Sequence, residues 1–447
     1  MRYNRLGTVL IAAGLSALML VPSEAKRNNV AAVQPRTATS HQMGGNYYCY
    51  PYLRETPPAQ TPAPEGYEPF HMEHYSRHGS RWHIGYDHYN QPYEVLSRAD
   101  RAGKLTPLGK RTLEAVGRIR EAAQGRDGEL SDLGALQHQG IGRRMALNYP
   151  TIFTDSTNLD ARSTVVIRSI LSMFNGLNGI QSQVPGIRIK SDASRADMWY
   201  MSYDDKPVVS FAWGEGSKQL RKEFDARHKQ DNEFLGRLVS DAAYARDSID
   251  ADRLYSHLMP LLMNCQSHSD QPWLVDEIFT PQEIHSRWVR RNAEWFVLGG
   301  NSKLTGNRHP FSQANVLANI IASADTAINS RRPSVNLRYG HDTIILPLAV
   351  LMELDDYGQE INDFEELESK GWCDYDIIPM GANIQIVFYR RPGSTSADDV
   401  LVKVLLNERE TRLPAGHVTG PYYSWKALKE YYGRKIAPYV TARNPMQ

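Results

Sequence analysis

The chain has 447 residues, 41% of them hydrophobic and 23% charged, a balance that fits one large or two smaller folded units and excludes wholesale disorder. Lys and Arg number 51 against 50 Asp and Glu, so the net charge of +1 carries no chain-wide footprint of a nucleic-acid binder. Affinity for a polyanion must come from a local site.

Arg2 and Arg5 precede an apolar run from Val9 to Val21, and Ser23-Glu24-Ala25 then offers the small residues of a cleavage site. Residues 1–25 read as a signal peptide, and the mature chain as an exported, periplasmic or secreted protein with no membrane contact after cleavage. Residues 26–66 form a polar and Pro-rich N-terminal segment in which 26 to about 42 and 56–65 read as extended linker or surface loop, with the folded body starting near Tyr67. Cys49, Cys265 and Cys373 are too scattered for a zinc site and allow at most one bridge, so three buried thiols or one pair plus a spare is the simplest reading.

Phe70 to Tyr75 alternates like a strand and runs straight into Ser76-Arg77-His78-Gly79-Ser80-Arg81. Thr106-Pro107 and Ser131-Asp132 are helix starts with a capping hydroxyl, and they predict helices over 107–124 and 132–148. Gly140-x-Gly142 inside the second lacks the rest of a dinucleotide fingerprint and reads as close packing. A helix over 164–177 with Val166, Ile170 and Phe174 as its buried stripe follows, then a short strand over 184–190.

From 217 to 299 the pattern is almost entirely helical, with Ile284, Trp288 and Trp295 along one side of its last helix as core residues. Lys218, Arg221, Lys222, Arg227 and Lys229 share one predicted helix with Glu223 and Asp225, and read as a solvent face rather than as a basic overhang above a pocket. Strand signals return at 334–339, 383–389 and 400–406. The order predicts an α/β fold, a central and mostly parallel sheet flanked by helices over 67–205 and 306–447, with an inserted all-helical cap domain at 206–305.

The chemistry concentrates where strands end. Arg77-His78-Gly79-Ser80-Arg81 sets an imidazole between two guanidiniums, whose forks suit a tetrahedral dianion, and Gly79 removes the Cβ that would keep backbone from ligand. A histidine is a competent nucleophile toward phosphorus when one ring nitrogen is neutral and the other is held. Arg338-Tyr339-Gly340-His341-Asp342-Thr343 repeats the strand-end placement, and a carboxyl there can protonate a departing alkoxide.

These strings resemble the histidine acid phosphatase branch of the histidine phosphatases, which includes phytases and multiple inositol polyphosphate phosphatases. The first is similar to the family's Arg-His-Gly-x-Arg-x-Pro signature, with His83 in place of the Pro, and the second to its His-Asp pair. The resemblance implies that His78 is the phosphorylated nucleophile and Asp342 the proton donor, and that Arg77, Arg81, His341 and a third arginine hold the phosphate. Arg168, with Ser172, Phe174 and Gly176-Leu177, is similar to that third element, and Arg162 is the weaker candidate. The implied activity is metal- and cofactor-free hydrolysis of a small phosphomonoester, phytate among them, with broad acid phosphatase action as the alternative. Phosphoryl transfer to a second hydroxyl, and an inactive binding protein, are the rivals. His71, His74, His78, His83 and His88 also crowd one segment, but on a strand His71 and His74 point to opposite faces, which argues against a metal site.

Overall fold

In a computed structural model the described residues are 38–53, 56–229, 232–330, 332–394 and 396–441, so the expected signal peptide lies outside them. Alternation of Met72 and Tyr75 between two apolar layers puts their strand at the middle of a nine-stranded sheet. Its members are β1 (Glu68–Arg77), β2 (Asn158–Ser163), β3 (Arg188–Asp192), β4 (Ser334–Gly340), β5 (Asn383–Arg390), β6 (Leu401–Leu406), β7 (Arg409–Glu410), β8 (His417–Thr419) and β9 (Tyr422–Ser424). The spatial order is β3-β2-β4-β1-β5-β6-β9-β8, with β7 paired to β6. The strands from β3 to β1 are parallel, and from β5 onward the pairing is antiparallel.

The helices that build the layers are α1 (Asp87–Arg101), α2 (Pro107–Ala122), α3 (Asp132–Asn148), α4 (Ile167–Gln181), α5 (Ala251–Asn264), α6 (Pro281–Gly299), α7 (Ala314–Ile328), α8 (Asp342–Leu351) and α9 (Trp425–Ile436). Thr106 and Ser131 cap α2 and α3 as expected, accepting from the backbone N–H of Gly109 and Gly134. On one sheet face Trp295, Leu317, Ile345 and Leu428 of α6 to α9 share a core with Tyr75 and Ile386. On the other, Ile141, Met173 and Leu177 of α3 and α4 pack on Met72, Leu337 and Val387. Between β3 and β4 the described residues form helices and turns, apart from one bridge of Val239 to Leu105. This helical stretch does not build its core alone, because Phe234, Leu258 and Phe279 pack with Leu96 of α1 and Ile119 of α2.

Several expectations are corrected. The buried face of α4 is not Val166, Ile170 and Phe174 but Ser169, Ser172, Met173, Gly176 and Leu177, and Phe174 is 47% exposed. The reason is backbone contact: a Cβ on Gly142 of α3 would stand 2.1 Å from the Gly176 carbonyl oxygen, so small residues mark the interface. The strand expected over 184–190 forms at Arg188–Asp192, after a turn. α1 escapes sequence reading because Pro92 sits inside it, and β2 because Asn158, Asp160 and Arg162 alternate with only three buried residues. The folded body also starts well before Tyr67: Tyr50 is buried and donates to Glu408 Oε2 at 2.7 Å, and the Met380 N–H donates to the Tyr48 carbonyl at 2.7 Å. Cys265 and Cys373 are buried thiols, the Cys49 thiol donates to the Gln266 carbonyl at 2.7 Å, and no described helix is long and apolar enough to cross a membrane.

Beneath the strand ends lies a buried charge network. Glu73 of β1 accepts from Asn336 Nδ2 and Ser323 Oγ at 2.7 Å each, and its second oxygen stands 2.5 Å from Arg338 Nη1. His71 Nε2 lies 2.9 Å away, and Arg338 is held in turn by Asn319 and Ser323. Burial pushes the Glu73 carboxyl up, but Arg338 and His71 outweigh it and bring it down to about 2. Its stabilising contribution is therefore complete above the ordinary glutamate pKa near 4.5 and is lost as pH falls from there through 2. Glu73→Gln should cost about 3–5 kcal/mol near neutrality, because Arg338 is left uncompensated, and should flatten the acid limb of unfolding midpoint against pH. Thermal unfolding from pH 2 to 7 measures both.

Candidate active site

Parallel pairing brings the two motif strings together. Arg77 of β1 registers with Gly340 of β4, so His78 and His341 leave adjacent strand ends, and their rings stand edge to face with centroids 5.8 Å apart. The close approach of α3 explains Gly79: a Cβ there would lie 2.4 Å from the Gly134 carbonyl oxygen. His78 is 2% exposed, and its Nδ1 lies 2.9 Å from the Gly79 carbonyl oxygen, which can only accept. Nδ1 thus carries the proton, and Nε2 keeps a free lone pair. Burial first, then Arg77, Arg168, Arg81 and His341, hold His78 well below the usual imidazole range, so it is neutral.

Arg77 is fully buried. Its Nη1 donates to the carbonyls of Asn46 at 2.7 Å and Ile378 at 2.6 Å. Its Nη2 stands 2.7 Å from Asp342 Oδ2 as an ion pair, yet none of its N–H bonds points at that oxygen. Among the described residues Arg77 Nε, Arg81 Nε and Arg168 Nε are buried without a hydrogen-bond acceptor. Such donors are costly to leave unpaired, and a tetrahedral oxyanion would supply acceptors of the kind they suit. Arg168, on the first turn of α4, is brought to about 10 by burial and by its neighbours Arg81 and Arg77, which places it in the same positive field. His341 is brought to about 4 by burial and the same arginines, and its Nε2 lies 3.0 Å from Thr164 Oγ1. Asp342 opens α8 and its Oδ1 accepts from the Thr343 N–H at 3.0 Å. Burial raises its pKa, but Arg77, Arg81, His341 and Asn46 outweigh burial and hold it below the carboxylate range.

All six expected residues converge here, and Arg162 does not: it pairs with Asp160 of β2, Asp192 at the end of β3 and Asp197 beyond it. Of the crowded histidines, His71 turns onto Glu73, while His83 stacks on His88 with ring centroids 4.8 Å apart and sets its Nε2 3.0 Å from the Pro260 carbonyl; among the described residues no group of three or more His, Cys, Asp or Glu could hold a metal.

A model of the histidine phosphatase superfamily (branch 2) matches residues 121–407, well over half of the chain. The chain belongs to that superfamily. As a branch 2 histidine phosphatase it is a phosphomonoester hydrolase. No curated protein matches it. Among solved structures, the multiple inositol polyphosphate phosphatase of Bifidobacterium longum, in complex with inositol hexasulfate, is similar at 17% identity and a TM-score of 0.70, over 90% of this chain and 98% of that one. The phytase of D. castellii is similar at 15% identity and a TM-score of 0.66, over 94% and 92%. At these identities the likeness is one of fold.

Two residues of this histidine phosphatase site were not legible in the sequence. Thr164 holds His341, and Asn46 reaches Asp342 from the N-terminal segment placed ahead of the folded body. The Gly44-Gly45 pair running into the aromatic string Tyr47-Tyr48 was the available sign that this stretch packs. The free donors of Arg168 and the paired ones of Arg162 predict opposite outcomes. Inorganic phosphate at 100 times Kd should stabilise the native protein by about 2.7 kcal/mol in thermal unfolding. Arg168→Met should lose most of that gain and Arg162→Met none, and the reverse would exchange their assignments.

Proposed function

We propose that this enzyme is exported and hydrolyses inositol polyphosphates such as phytate through a phosphohistidine on His78. Export rests on the N-terminal pattern of Arg2, Arg5, the run Val9 to Val21 and Ala25. In the first step His78 Nε2 attacks phosphorus, the P–O bond to the alcohol breaks, and Asp342 gives its proton to the departing oxygen. In the second, water attacks the phosphohistidine, Asp342 takes the water's proton, and the P–N bond breaks to free His78 and phosphate. Arg77, Arg81, Arg168 and His341 stabilise charge on the equatorial oxygens with donors already in place, commonly the largest catalytic contribution.

The observation that carries the polyphosphate reading is a second set of arginines. Arg287, Arg290 and Arg291 follow at helical spacing on α6, and Arg287 and Arg291 both lie within electrostatic reach of Tyr47 and Asp374. Arg77 feels the same two residues, and Arg81 stands over the Tyr47 ring at 6.0 Å from its centroid. Positive charge thus continues past what one phosphate uses, as a substrate with several phosphates requires. Of the basic residues weighed earlier, Lys218 pairs with Glu215, Arg221 with Asp225, Arg227 with Glu365 and Lys229 with Asp252, and in the second set Arg291 is likewise paired with Glu294, so the reading leans on Arg287. The similar B. longum protein is described with inositol hexasulfate, a ligand of the same shape and charge class.

Phosphate release from phytate and from p-nitrophenyl phosphate, in chelator, tests the reading. His78→Ala should abolish both. Asp342→Asn should cost roughly 100- to 10,000-fold on phytate and far less on the aryl ester, whose leaving group needs no proton. Arg287→Ala should raise KM for phytate about tenfold, about 1.4 kcal/mol, and leave the aryl ester nearly unchanged. Equal effects on both substrates would make the enzyme a broad phosphomonoesterase, and no release from either would favour the binding or transfer rivals.

A further inference from the structure

The stretch before β1 crosses the active site, and one of its residues touches both members of the Arg77–Asp342 pair. The Asn46 carbonyl accepts from Arg77 Nη1 at 2.7 Å, and Asn46 Nδ2 stands 3.4 Å from Asp342 Oδ2, the oxygen that Arg77 Nη2 also approaches at 2.7 Å. We propose that Asn46 is the positioning residue of the proton donor, holding the Asp342 carboxyl in both of its protonation states. The inference rests on the reading of Asp342 as donor.

The chemistry singles out an amide. Arginine offers no acceptor, so Arg77, Arg81 and Arg168, the cations around Asp342, can hold its carboxylate but not its acid form. Tyr75 also lies near, but its hydroxyl donates to the Met201 carbonyl at 2.8 Å, and His341 Nε2 is engaged by Thr164. Asn46 carries donor and acceptor on one plane. With the carboxylate its Nδ2–H donates, and after a half-turn its Oδ1 takes the acid's O–H until the leaving oxygen arrives.

The backbone around Asn46 is fixed for such a task. Gly45 has φ 63°, and a Cβ there would stand 2.5 Å from Asp374 Oδ2, so only glycine fits. Asp374 is itself tied by Trp288 Nε1 at 2.9 Å and by its own N–H to Asn292 Oδ1 at 2.8 Å. Beyond Asn46, the Cys49 N–H donates to Gln266 Oε1 at 3.1 Å and the Met380 N–H to the Tyr48 carbonyl. Asn46 is 7% exposed and has little freedom to leave.

The test is the pH dependence of kcat for native protein, Asn46→Ala, Asn46→Asp and Asn46→Gln, on phytate and on p-nitrophenyl phosphate. A proton donor loses activity as pH rises through its pKa in the complex, and removing an N–H that favours the carboxylate raises that pKa. The alkaline limb should therefore move up by about 0.5 to 1 pH unit in Asn46→Ala and further in Asn46→Asp. Asn46→Ala should lose about 10- to 100-fold in kcat on phytate but under about threefold on the aryl ester, with Asn46→Gln partly restoring the phytate rate. Thermal unfolding and phosphate binding identify any variant that misfolds, and the remaining ones decide. Equal losses on both esters with unmoved limbs would overturn the inference and leave Asn46 a packing residue. If instead Asp342→Asn fails to separate the two esters, the donor assignment itself is wrong.

Discussion

Everything at this site answers to one buried guanidinium. Arg77 is fully enclosed at the carboxyl end of the central strand, and taking a charge out of water is affordable only with acceptors and a counter-ion in place. The fold supplies them from three directions: the Asn46 carbonyl from the stretch ahead of the sheet, the Ile378 carbonyl from the loop before β5, and Asp342 from the first turn of α8. Each lies far from Arg77 in sequence. The site therefore exists only when the whole sheet and its N-terminal segment have closed, and Arg77 keeps Nε free for a ligand while its Nη1 is committed to the protein.

The same balance governs proton transfer in the proposed reaction. Without substrate, three arginines face one carboxylate, and Asp342 is held ionised, the wrong form for a donor. A phosphate dianion brought to the arginines offsets their charge and raises the Asp342 pKa, so the acid is generated by binding. His78 responds in the opposite sense. Its imidazole is kept neutral by burial and the arginines, and the dianion relaxes that suppression, but Nδ1 remains committed to the Gly79 carbonyl and the reactive Nε2 still faces the ligand. Substrate charge thus primes the donor, while backbone geometry protects the nucleophile.

The sequence displayed the parts of this machine that are local. Arg77, His78 and Arg81 lie within five residues, His341 and Asp342 are adjacent, and both strings follow strands whose apolar alternation is plain. Arg168 was legible through its surroundings, although the helix face that carries it was misassigned, because an interface built on Gly142, Gly176 and Ser172 leaves the large residues Ile167 and Phe174 outside. Periodicity finds bulky stripes, and helices in backbone contact have none. The segment from residue 38 to 53 was missed for a related reason: it forms no long helix or strand, and its order comes from tertiary hydrogen bonds that have no local signature. Arg338 shows the converse, a motif-string arginine that belongs to the Glu73 network beneath the site.

That N-terminal segment is also where chemistry and recognition meet. Gly45 packs on Asp374, Asn46 reaches Arg77 and Asp342, and Tyr47 sits under Arg81 and within electrostatic reach of Arg287 and Arg291. Three consecutive residues thus join the reacting phosphate's pocket to the second cationic cluster. A polyphosphate spanning both would lie along Tyr47, and any shift of the segment that helped one cluster would disturb the proton donor through Asn46. In the proposed reaction substrate selection and proton transfer would therefore be coupled: they would share a backbone that Gly45, at φ 63° against Asp374, can follow in only one way.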